Sequence, residues 1–139
     1  MAGPQEISDD EIILRRIPPD PRCVVGNEAG SVRASSFALR PKPDEKGPSF
    51  TRLKFTSPKE LLNQLALQQI PSADWRVCKI LVSDVRALGL EVVYSPTDID
   101  AGHCEIRPGK QKFTDAIWSK LAKKSRVLSV EEIEKGMTV

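Results

Sequence analysis

Ser49-Phe50-Thr51-Arg52-Leu53-Lys54-Phe55-Thr56-Ser57-Pro58-Lys59-Glu60-Leu61-Leu62 changes its period halfway along. The first seven residues alternate as a half-buried strand does, which puts Leu53 and Phe55 toward the core and Arg52 and Lys54 in solvent. Ser57, Pro58 and Glu60 then combine an N-cap hydroxyl, a proline at the first helical position and a capping-box carboxylate. Leu61, Leu62, Leu65 and Leu67 carry an amphipathic helix onward to about Gln69, and Pro71 stops it. A strand that runs straight into a helix must pack both kinds of element around one core.

The same mixture continues on either side. Residues 1–9 read as a disordered acidic tail, with Glu6, Asp9, Asp10 and Glu11 opening the chain on negative charge. Residues 12–17 form a first strand, ended by Pro18-Pro19, which can continue neither ladder nor helix. Residues 31–40 alternate weakly and suggest a strand carrying Val32, Phe37 and Leu39. Downstream, residues 75–82 are rich in β-branched side chains and are expected to be the central strand. Ser83-Asp84 caps a short helix that Gly89 closes, residues 90–94 and 103–107 are strands, and residues 114–124 repeat apolar side chains at helical spacing. Ser129 and Glu132 are a second capping box. The expectation is an α+β single domain over residues 10–136. It would have a mixed or mostly antiparallel sheet of five to six strands, with three to four helices on one face.

Composition sets the function classes. With 139 residues, 40% hydrophobic and 29% charged, the chain holds one ordinary folded core. The net charge of +2 is too small to argue for nucleic acid. Cys23, Cys78 and Cys104 are odd in number and lack CxxC spacing, which argues against a disulfide framework and a closed cysteine zinc site. Free thiols, no apolar run long enough for a bilayer and no signal-peptide pattern make a cytoplasmic location and no membrane partner the expectation. There is no glycine-rich phosphate loop, GxSxG elbow or HExxH pair, so no cofactor is expected.

The sole histidine, His103, stands in Asp98-Ile99-Asp100-Ala101-Gly102-His103-Cys104-Glu105. It can act as a general acid or base with Asp98 or Asp100 as the orienting carboxylate. A metal site here would need His103, Cys104, Asp98 and Asp100 together. Strand alternation turns His103 and Cys104 to opposite faces, so no metal is expected, and Cys104 as a nucleophile would lack its base. The plainer reading makes the aspartates Asx-turns and His103 a structural strand start. A second cluster is basic: residues 110–126 carry six cations against Asp115 alone. Lys120, Lys123, Lys124 and Arg126 could meet phosphates beside a partly exposed Trp118, although cations at a helix C-terminus also follow from the dipole.

Arg15 and Arg16, then Ser35 and Ser36, then Glu105 resemble the arginine, serine, glutamate order of ADP-ribosyltransferase-like folds. That resemblance implies arginines holding an anionic or nucleotide substrate such as a nicotinamide dinucleotide, a supporting serine pair and a catalytic glutamate. Glu105 departs from the pattern in having His103, not an acid, two residues before it. Arg15-Arg16-Ile17-Pro18, Ser35-Ser36-Phe37, Gly89-Leu90-Glu91-Val92, Pro96 and His103 are also similar to a group of small bacterial proteins. These share an RRxP start, a serine pair before an aromatic and a GLxV…P…H block, and the group implies no activity. The reading adopted from sequence is a binding or accessory module with a protein partner. Its alternatives are a small His103 enzyme that uses Arg15 and Arg16 on an anionic substrate, and a weak nucleic-acid binder.

Overall fold

Ile12–Ile17 (β1) is buried on both sides at Ile13, Leu14 and Ile17, so it needs strands at both edges and cover on both faces. β2 (Val24–Val25) and β3 (Arg33–Ala34) pair with each other as a separate antiparallel ribbon. β4 (Ser49–Arg52) and β5 (Arg76–Leu81) flank β1, both antiparallel to it. β6 (Glu91–Tyr94), β7 (His103–Arg107) and β8 (Arg126–Val127) complete a six-stranded antiparallel sheet of order β6-β7-β4-β1-β5-β8. The computed structural model describes residues 6–26, 32–42, 45 and 47–135.

The α+β class and the mostly antiparallel sheet match the sequence reading, and the helices divide between the two faces. α1 (Ser36–Leu39), α3 (Val82–Ala87) and α4 (Asp115–Lys124) cover one face, where Leu39, Val85, Trp118 and Leu121 join Ile13, Phe50, Cys78 and Ile106 in one core. α2 (Pro58–Leu67) and α5 (Val130–Lys135) cover the other, where Leu61 and Ile133 meet Leu14, Val77 and Leu128. α2 lies against β1 and β5, and α5 against α2. That same face of β4 and β7 lines an open cleft instead. Both capping boxes are formed: Ser57 with Glu60, and Ser129 with Glu132.

Four sequence expectations are corrected. Residues 31–40 are not one strand. β3 lasts two residues before Ser35 accepts from the Ala38 N–H and starts α1. β5 lies next to the edge, and β1 with β4 occupies the centre. The tail expected over residues 1–9 falls partly on residues 1–5, outside the described residues. Within residues 6–9, Ile7 is buried in the core and the Ser83 N–H donates to the Asp9 carbonyl.

The fourth correction is Arg52, which is fully buried and not in solvent. It pairs across the ladder with Ile13 and so shares that residue's inner face. Its Nε and Nη2 each donate to Glu11 at 2.7 Å, and Nη2 also donates to the Glu6 carbonyl at 3.0 Å. The guanidinium lies 4.8 Å from the Phe55 ring centroid and 4.9 Å from that of Tyr94. β4 ends at Arg52 and the chain turns, with the Phe55 N–H on the Arg52 carbonyl. The two-residue period is lost there, which leaves Phe55 partly exposed.

Two tests follow. Arg52→Met leaves the Glu11 carboxylate buried without its partner and should cost about 3–5 kcal/mol in denaturant unfolding. Replacing Glu11 by leucine in the same chain should recover much of that loss. Several carboxyls are also held below their ordinary range. Hydrogen bonds from Arg126 bring Glu132 down from 4.5 to about 2. Burial alone would raise Glu11, but its bonds from Arg52 and Ser8 outweigh it and the net shift is down. Such groups bind protons more weakly folded than unfolded. Their contribution is therefore complete above pH 4.5 and drains away as pH falls toward about 2. Thermal unfolding midpoints should be level above that range and fall through it, with a shallower fall in Glu132→Gln.

Candidate functional site

The uncovered part of the second sheet face is polar because its period-two set is polar. Leu14 on β1 pairs with Thr51 on β4, and Thr51 with His103 on β7. In the next row Ser49 pairs with Glu105, and the same register puts Arg16 beside Ser49. Arg107 follows two residues further along β7. These side chains floor a cleft of about 700 Å³. Its walls come from the end of α2, the loop before β7, and Lys42 with Glu45 on the segment that leads to β4.

Arg16 is the least satisfied charge there. Its Nη2 donates to the Gln68 side chain at a long 3.4 Å, and its Nη1 is buried without a hydrogen-bond partner among the described residues. Burial lowers the pKa of this guanidinium, and the carboxylate of Asp100 works against that shift. Asp100 makes no hydrogen bond to Arg16; its oxygens accept from the Thr51 and Thr56 hydroxyls and the Gly102 N–H. Arg107 is paired with Glu105 at 3.1 Å.

His103 is held through Nδ1, which lies 2.9 Å from the Ser95 carbonyl and 2.9 Å from the Ser95 hydroxyl. A carbonyl only accepts, so Nδ1 carries the proton and Nε2 is the acceptor in the neutral ring. Nε2 has no hydrogen bond from the described residues. The loop that supports this ring is closely tied. The Thr97 hydroxyl accepts from the Asp100 N–H, the Tyr94 hydroxyl donates to the Ala101 carbonyl, and the Arg52 N–H donates to the Gly102 carbonyl. A Cβ on Gly102 would stand 3.1 Å from the Arg52 oxygen and 3.2 Å from the Phe55 Cβ, so this close approach favours glycine.

Of the residues singled out from sequence, Arg16, Asp100, His103 and Glu105 come together at the cleft. Asp100 positions the loop, while the carbonyl of Ser95 orients the imidazole. Asp98 is exposed and makes no side-chain hydrogen bond to a described residue. Arg15 is buried on the opposite face, where Nε, Nη1 and Nη2 donate to the carbonyls of Ala38, Ser49 and Arg40 and Nη2 reaches Glu45 at 3.5 Å. Ser35 and Ser36 cap and begin α1 on that other face, and Ser35 donates to the Arg22 carbonyl. The serine pair and Glu105 thus lie on opposite sides of the sheet. Cys104 is buried away from His103, and burial pushes its thiol up to about 12. Among the described residues no three His, Cys, Asp or Glu side chains gather as a metal site, and no helix is long and apolar enough to cross a membrane.

The basic cluster does not stay together either. Lys120, Lys123 and Lys124 are exposed on α4, but Arg126 belongs to β8 and is held by Glu132 at 2.7 and 2.8 Å. Trp118 is buried against Phe113, with ring centroids 4.5 Å apart, so it offers no stacking surface.

Sequence reasoning missed Thr51, Gln68, Trp75 and Arg107 as parts of the cleft. Parity carried the one available signal, since Thr51 falls in the alternation that starts at Ser49, and Arg107 in the one that starts at His103. Trp75 and Gln68 come from the segment after α2. There the Ile70 N–H reaches the Leu65 carbonyl and the Gln69 N–H the Ala66 carbonyl, a Schellman motif with Gln69 at φ 59°. That motif packs Ile70 and Leu65 into the cleft wall. No protein-family model, no curated protein and no solved structure matches the chain.

Gln69 occupies the left-handed position that glycine takes without steric cost. Gln69→Gly should therefore stabilise the domain by about 0.5–1 kcal/mol in urea unfolding, with the fold unchanged. A loss of stability would show that the Gln69 side chain makes compensating contacts.

Proposed function

We propose that the domain is a binding module whose cleft captures an anionic small ligand, with Arg16 as the charge that anchors it. The observation that carries this reading is the buried Nη1 of Arg16, without a partner among the described residues, in an open, polar-floored cleft. A buried charge without full hydrogen bonding costs stability. A group held in that state at a cleft is a functional-site candidate. The neighbouring arginines have their partners in the fold: Arg107 at the cleft has Glu105, and Arg15, on the opposite face, has three carbonyls and Glu45. Lys42 stands exposed at the rim and adds a second cation to the anion's surroundings. A planar guanidinium suits a carboxylate or phosphate bound through two oxygens.

The His103 geometry supports a second reading, in which the same cleft carries out acid–base chemistry on the bound anion. With Nδ1–H fixed on Ser95, Nε2 is a lone-pair acceptor on a ring that lines the cleft. That is the arrangement a general base needs.

Titration of isotope-labelled protein with inorganic phosphate tests the first reading. Backbone signals of residues around Arg16, Thr51 and His103 should shift together, and Arg16→Gln should weaken binding at least about tenfold, or 1.4 kcal/mol. Because the substitution removes an under-satisfied charge, it should leave the unfolding midpoint equal or higher. Undiminished phosphate binding in Arg16→Gln, or a strong loss of stability, would reject Arg16 as an anion anchor. His103→Gln separates the two readings. A module keeps its affinity within a few-fold and shows no turnover in the parent chain, whereas acid–base chemistry predicts a product in the parent that vanishes in the variant.

A further inference from the structure

We propose that the anion taken by the cleft is a nucleoside monophosphate, its base laid on Trp75 and its phosphate on Arg16. This rests on the reading of the cleft as an anion site and adds the rest of the ligand to it. Trp75 lines the cleft and is half-buried, and its indole N–H has no hydrogen bond to a described residue. It stands two residues before Val77, the ladder partner of Arg16. Trp75 immediately precedes β5, so its Cα is set off from that of Arg16 by one strand spacing of about 4.8 Å across the sheet and by two residues of rise, roughly 7 Å, along it. A compact aromatic acid, with its charge attached directly to the ring, does not span that step. A nucleotide puts a sugar between base and phosphate, and Gln64 and Gln68 at the end of α2, which lies over β1 and β5, are the polar side chains that wall the cleft on that side.

Two exposed isoleucines add apolar surface to the cleft. Ile70 and Ile99, 37% and 49% exposed, both line the cleft, the first from the loop after α2 and the second from the loop before β7. Ile70 and Trp75 each follow directly on a non-glycine residue in the left-handed region, Gln69 at φ 59° and Asp74 at φ 65°. Backbone held in that region is over-determined by its surroundings, which fixes where the two side chains sit. Stacking of a base on an indole tolerates any base, because each presents a π face.

Calorimetric titration of the full chain with AMP, UMP, ribose 5-phosphate and adenosine tests the proposal. Both nucleotides should bind at least tenfold more tightly than ribose 5-phosphate, and adenosine more weakly than either. Tryptophan fluorescence should be quenched by the nucleotides and lost as a reporter in Trp75→Phe, since Trp118 is shielded in the core. Trp75→Leu should bring the nucleotides down to the affinity of ribose 5-phosphate, and Trp75→Phe should keep most of the preference. Equal affinity for AMP and ribose 5-phosphate, or an unchanged ratio in Trp75→Leu, would overturn the nucleotide while the anion site stands, provided Arg16→Gln still weakens both. Binding of adenosine as tight as that of AMP would overturn the assignment of the phosphate to Arg16. If none of the anions binds, both readings fall together.

Discussion

A fully buried guanidinium is the constraint around which this domain is arranged. Arg52 sits where three parts of the chain meet, and each must supply something for its charge to be tolerated. The N-terminal segment gives the Glu11 carboxylate and the Glu6 carbonyl, and β6 and the turn after β4 give two aromatic faces. Its backbone N–H holds the Gly102 carbonyl, the point at which the loop before β7 docks onto β4. A buried ion pair adds little net stability, but it penalises every arrangement in which one partner lacks the other. The end of β4 and the start of β7 are thereby locked in register. Thr51 and His103, one ladder pair at this joint, face the opposite side of the sheet and become floor of the cleft.

The arginines near the sheet show how function can be read from bookkeeping of donors. Arg15, Arg52 and Arg126 each spend their nitrogens on carbonyls or carboxylates inside the fold. Arg16 does not, although it adjoins Arg15 in sequence and lies on the same strand. The difference comes from the face each one meets. Arg15 points to the side where α1 ends and offers carbonyls, while Arg16 points to the side that α2 covers only in part.

What could be read from the sequence was local. The capping boxes at Ser57 and Ser129 and the strands at β1, β6 and β7 depend on residues within a few positions of one another, and they appear in the fold close to where they were expected. The segment 31–40 could not be read by period, because a two-residue strand and a one-turn helix are both shorter than the window that distinguishes them. Arg52 was misplaced because a charged residue in an alternating stretch defaults to solvent, and its partner Glu11 lies 41 positions away. Alternation did separate His103 from Cys104. Applied equally to Arg15 and Arg16, it would have shown that two adjacent strand residues cannot share a pocket. The composition of the cleft depends on which strand lies beside which, and no local pattern in the chain encodes the pairing of β4 with β7.

The placement of β1 at the centre of the sheet also governs the order of assembly. Within the six-stranded sheet, β6 and β7 are the paired strands that follow one another directly in the chain. β1 must wait for partners that arrive much later along the chain, since Ile12 pairs with Leu81. Closing loops of that length spends chain entropy before the ladder returns any of it, which makes folding slow for a domain of this size. On a ribosome, residues 12–17 emerge as an unpaired strand with apolar residues on both faces, and it must be kept from other chains until β5 is made. The strand that organises the finished protein is thus its most exposed liability during synthesis.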